Sequence, residues 1–96
     1  MASLSFTETT LASGKTVYVA EISDKKGTIN VDLAREVPGL ITVYHRAHGA
    51  TTYKGGMALQ ESLSVGGVNF NIVSEAPNAS MDYKIVSDVS ATGSYA

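Results

Sequence analysis

The sequence predicts an all-β protein: a single antiparallel domain, residues 1–96, of about six to seven strands forming a sheet, sandwich or small barrel, with little or no helix. Three observations predict it. Apolar and polar residues alternate in several separate runs, and glycine pairs and short polar clusters divide those runs. No apolar pattern of helical period reaches the ~12 residues at which helices become ordinary. Ninety-six residues without cysteine allow one thin core and neither a disulfide nor a thiolate metal site, so partner subunits are an expected source of stability.

"LSFTETT" opens the chain with Leu4 and Phe6 on one side, an edge strand or arm within residues 1–10. "KTVYVAEI" follows, with Val17 and Val19 assigned to the core. The polar connection "SDKKG" joins it in a hairpin to "TINVDLA", which sets Ile29, Val31 and Leu33 against Asn30 and Asp32. "NVDLARE" and "MALQESLS" have some helix propensity but are short, and Pro38-Gly39 closes the first. "GLITVYHRAHGATTYKGG" reads as a strand, a basic turn and a second strand, with Ile41, Val43 and His45 opposite Thr42, Tyr44 and Arg46. In "SVGGVNFNIV" the Gly66-Gly67 pair predicts a two-residue hairpin that sets Val65 against Val68. Met57, Leu59, Leu63, Phe70 and Ile72 then share its apolar face, and Gln60, Ser62, Ser64, Asn69 and Asn71 its polar one. "MDYKIVSDVS" sends Met81, Tyr83, Ile85 and Val89 one way and Asp82, Lys84 and Asp88 the other; Pro77-Asn78 is the last loop, and residues 91–96, "ATGSYA", a short tail.

Composition excludes several classes of function. Seven basic against nine acidic residues give a net charge of −2, which lacks the broad positive field of a dedicated nucleic-acid binder. "MASLSFTETT" has neither the basic nor the apolar part of a signal peptide, and no apolar run approaches the ~20 residues that span a bilayer, so no membrane partner is expected. Asn78-Ala79-Ser80 is therefore read as a polar turn rather than a glycosylation site. His45 and His48 lie on opposite faces of a strand with no third ligand close in sequence, so no metal is expected. No nucleophile motif is present, and the paired glycines precede no helix that could hold phosphate. The expectation is a non-enzymatic protein with no catalytic residue, cofactor or metal.

The residues left with functional promise are Thr42, Tyr44 and Arg46. If their strand joins the 57–73 hairpin in one sheet, they align with Gln60, Ser62, Asn69 and Asn71 in a polar face that suits a partner subunit or a nucleic acid: tyrosine stacks on bases, arginine meets phosphate and amides read base edges. Carbohydrate is a further ligand for the Tyr44/Arg46 face. Long strands with few charges also blunt their edges poorly, which points to a homo-oligomer.

"MASLSFTETTL" as an amino-terminal arm, "VPGLITVYHRAHGATTYKGGMALQ" as a strand pair around a basic turn, and "VGGVNFN" leading into "MDYKIVSDVSATGSYA" together resemble small bacteriophage virion proteins, in particular the sheet region of single-stranded RNA phage coat proteins. Those coat proteins continue into a helical region that interlocks two subunits, whereas this sequence ends at Tyr95-Ala96. A capsid decoration protein is the nearer expectation. The resemblance implies a structural role in the virion, made in the host cytoplasm, with other capsid subunits as partners and packaged nucleic acid against one sheet face.

Overall fold

The structure, a computed structural model, describes residues 2–60, 66–74 and 76–96. Among these residues the chain forms nine strands and no helix: β1 (Ala2–Leu4), β2 (Thr7–Thr10), β3 (Thr16–Lys25), β4 (Ile29–Arg35), β5 (Leu40–Ala47), β6 (Lys54–Gln60), β7 (Gly66–Ile72), β8 (Met81–Ser87) and β9 (Ala91–Tyr95). They build a four-stranded sheet in the order β1-β9-β4-β7 and a five-stranded sheet in the order β2-β3-β8-β5-β6, with every pairing antiparallel. No helix of the described residues is long and apolar enough to cross a membrane.

The pairings are nested. β5 pairs with β6, β4 with β7, β3 with β8 and β1 with β9, so the chain is one long double-stranded ribbon whose tip is the β5–β6 turn. Rolling that ribbon brings β8 beside β5 and β9 beside β4, which closes the two sheets. This is the strand order of a jelly roll, with β2 added at one edge of the five-stranded sheet.

The strand count exceeds expectation for two reasons. "LSFTETT" divides around Ser5-Phe6 into β1 and β2, which sit at the edges of different sheets. Residues 91–96 are not a tail: β9 is held between β1 and β4, and Ala96 continues the ladder through two 3.0 Å backbone hydrogen bonds with Asn30. Both expected hairpins are also corrected. β3 and β4 enter opposite sheets, as do β6 and β7, so "SDKKG" is a crossover. Gly66 and Gly67 do not turn the chain but pair with Arg35 and Ala34 inside β7. In a rolled ribbon a strand's chain neighbour crosses to the facing sheet, and short polar connections serve crossovers as well as hairpins. The 65–68 pairing involves Val65, which lies with Leu63 outside the described residues.

Between the sheets Leu4, Ala20, Ile22, Ile29, Val31, Leu33, Ile41, Val43, Ile72, Met81, Tyr83 and Ile85 form one buried cluster, flanked by the half-buried Phe6, Val68, Phe70 and Tyr95. Expected core positions on β4, β5 and β8 are filled as read. β3 is filled only in part, because "TVYVAEI" is apolar on both parities: Val17 is buried as read and Val19 is not. Its Ala20 stands opposite Ile85, so Ala20 and Ile22 face the core while Val19 is on the outer side with Val86 and Thr42. Ser87, fully buried, closes β8 by donating to the Val89 carbonyl at 2.6 Å and accepting from its amide at 3.3 Å.

Candidate functional site

The residues singled out from sequence divide between the two outer faces of the sandwich. Thr42, Tyr44 and Arg46 lie on β5 in the five-stranded sheet, whereas Asn69 and Asn71 are exposed on β7 in the four-stranded sheet. Gln60 pairs with Leu40 in the five-stranded sheet, and Ser62 lies outside the described residues. The composite face is therefore not assembled: it required β5 and β7 in one sheet, and the rolled ribbon separates them.

What β5 does assemble is a charged centre on Asp82. β8 places this carboxylate directly opposite Arg46, and it is 1% exposed although its position alternates with the core residues Met81 and Tyr83. Three donors converge on it. Arg46 Nε donates to Oδ2 at 2.9 Å, His48 Nδ1 donates to Oδ1 at 2.8 Å, and the Asp24 amide donates to Oδ1 at 2.9 Å. Asp24 reaches that position because β3 bulges between Ile22 and Lys25, with Asp24 itself at a φ of 58°. The His48 amide also donates to the Ser80 carbonyl at 3.0 Å, so the β5–β6 turn is fastened to the chain leading into β8.

Tyr53, returning from that turn, covers the centre. Its ring centroid lies 4.3 Å from the Arg46 guanidinium carbon and 4.6 Å from Lys84 Nζ, a double cation–π contact. Burial and the nearby charge of Glu21 raise the Tyr53 phenol above its ordinary value. Asp82, Arg46, His48 and Tyr53 thus lock together the β3 bulge, the end of β5 and the β5–β6 turn. The alternation of "MDYKIVSDVS" sets Asp82 opposite the core face, and there it is a buried acceptor for Arg46, the residue expected to meet a ligand. The signal that was present is the pair Arg46 and His48, two residues apart at the end of a strand, where both can reach one acid.

This centre makes stability depend on pH, in a direction set by both partners. The hydrogen bond to Asp82, reinforced by its charge, raises the His48 pKa despite desolvation. The His48 contribution is therefore complete below its unfolded value of about 6.5 and lost as pH rises through the higher folded value. Burial pushes the Asp82 carboxyl up, but the hydrogen bonds from His48, the Asp24 amide and Arg46 outweigh it and hold the group well below the usual carboxylate range. Its contribution is complete above about pH 4 and lost as pH falls through the lower folded value. Thermal melts are expected to show a Tm that declines in the wild type as pH rises from about 6.5 through the higher folded value of His48, with a shallower decline in His48→Gln. Superimposable profiles for the two proteins would remove this role from His48.

His48 and Asp82 have the mutual orientation of an acid–base pair, but among the described residues no hydroxyl is hydrogen-bonded to His48. Nor, among those residues, does any group of three or more His, Cys, Asp or Glu side chains come together to hold a metal. His45 packs instead near Gly55, whose φ of 70° marks the bulge where β6 meets β5.

The other outer face is of a different character. Asn30 Nδ2 donates to Asn69 Oδ1 at 3.1 Å and to Asn71 Oδ1 at 2.8 Å, and Asn69 Nδ2 donates to Asn30 Oδ1 at 3.0 Å and to Asp32. Thr92 and Ser94 on β9 extend these rows, opposite Ala34 and Asp32. The side chains of this face are short and almost uncharged.

No protein-family model, curated protein or solved structure matches the chain.

Proposed function

We propose that the chain is a non-enzymatic structural protein that self-associates, as a coat, capsid or decoration subunit of a virion. The observation that carries the proposal is the outer face of the four-stranded sheet, where Asn30, Asp32, Asn69, Asn71, Thr92 and Ser94 present short hydrogen-bonding groups with one charge among them. Such a face buries against another protein at modest desolvation cost, because its neutral amides and hydroxyls find partners across a seam and its one carboxylate, Asp32, already accepts a hydrogen bond from Asn69. The jelly roll adds support by analogy of fold, since this architecture is used for viral capsid subunits as well as for lectins and cupins. The centre at Asp82 fits the same role: it commits Arg46 of β5 and His48 and Tyr53 of the β5–β6 turn to rigidity, and Arg46 is held by a buried acid rather than left to phosphate.

Electron microscopy of the concentrated protein tests the proposal. Shells, rings or ordered arrays are the expected result, and a field of uniform single-chain particles would overturn it.

A further inference from the structure

The self-association proposed above needs an interface, and among the described residues four strand edges are available. Three are guarded. β1 has three residues, β2 has four and carries Glu8, and β6 begins at Lys54 and is bulged against β5 around Gly55. Each is a device by which a sheet edge avoids pairing. β7 has none of them. Its seven residues, "GGVNFNI", carry no charge and no proline, and they run in unbroken register with β4 from Ile72 opposite Ile29 to Gly66 opposite Arg35. Val68 and Phe70 point toward the core yet stay only half-buried at this margin, and Val73, just past the strand, is 72% exposed.

We propose that β7 is the assembly edge and that its partner is β7 of a second copy, antiparallel about a two-fold axis through Asn69. This deepens the self-association reading and rests on it. The strand is complementary to itself in that register. Gly66 meets Ile72 of the partner, Gly67 meets Asn71, Val68 meets Phe70 and Asn69 meets Asn69. Every half-buried apolar side chain is set against another on the core side, while the amides meet amides or glycine on the outer side, with no like-charge contact at any position. The two four-stranded sheets become one of eight, with the outer faces of both copies continuous across the junction. An isologous contact of this kind closes on itself, so the dimer is a finite building block and further growth uses the polar outer face.

The absence of cysteine makes the test clean. Single-cysteine variants Asn69→Cys, Asn71→Cys and Ser3→Cys, the last on the β1 edge, are treated with a short bismaleimide at micromolar concentration. Asn69→Cys is expected to cross-link on the order of a hundredfold faster than Ser3→Cys, because a held pair raises the effective thiol concentration to about millimolar. Asn71→Cys, which faces Gly67 rather than itself, is expected to fall between them. Sedimentation of the unmodified protein is measured alongside. An oligomer in which Asn69→Cys and Ser3→Cys react equally would overturn the β7 edge and leave self-association standing; a monomer at every concentration would overturn both.

Discussion

Replacing Asp82 with alanine is expected to lower stability by about 3 kcal/mol, which for a chain of this size lowers Tm by roughly 12–24 °C. The magnitude follows from what is left behind. The carboxylate is the common acceptor for three donors from three segments, and it is essentially buried. Without it the Asp24 amide in the β3 bulge loses its partner, and the Arg46 guanidinium stays beneath Tyr53 without the carboxylate it is hydrogen-bonded to. Arg46 and His48 are more exposed, with side chains 26% and 50% accessible, so water recovers part of the loss and the figure sits at the lower end for a broken buried pair. Arg46→Ala should likewise destabilise the wild type, and should cost less once Asp82 is already alanine, because the two residues form one unit. Urea melts of the two single variants and the double variant check this; strictly additive effects would show that the pair is not coupled.

Gly93→Ala is expected to cost a similar amount, about 3 kcal/mol, for a steric reason. Gly93 in β9 stands between Leu4 and Leu33, and a Cβ there would lie 2.5 Å from the Asp32 carbonyl oxygen and 2.7 Å from a Leu33 methyl. The methyl can move. The carbonyl belongs to the backbone of β4, whose ladder would have to shift, and β4 is paired on both sides. Gly67→Ala is the matched control, since its nearest contact would be an ordinary 3.7 Å. That substitution should be neutral or slightly stabilising, because it removes unfolded-state freedom without strain. Thermal melts of the two variants separate close packing at β9 from a general intolerance of alanine for glycine.

The contrast between these positions shows what the sequence conveys and what it withholds. Alternation along "TINVDLA" and "MDYKIVS" sets which side chains face inward, because a half-buried strand permits only one phase; Ile29, Val31, Leu33, Tyr83 and Ile85 are all buried accordingly. Partner choice is another matter. Whether Gly66-Gly67 turns or stays extended depends on which strand lies beside it, and that is settled by the rolling of the whole ribbon rather than by neighbouring residues. Asp82 illustrates the same limit. Its alternation is that of a solvated residue, and only the β5·β8 register and the β3 bulge convert it to a buried acceptor. Tyr44 and Arg46 were legible as outward-facing, but the three donors around the acid come from segments 34 to 58 residues away in the chain. The separation of Asn69 and Asn71 from Arg46 follows from the same crossover between sheets.

The proposed self-association would supply this small sandwich with part of its stability from other copies of itself. Sedimentation velocity and thermal melting on one dilution series, from about 1 mM to about 1 μM, test it most directly, since a folded state stabilised by association must lose mass and Tm together. The expected result is an assembled species at high concentration whose dissociation on dilution is accompanied by a falling Tm. A single-chain species at every concentration, with an unchanged Tm, would contradict it.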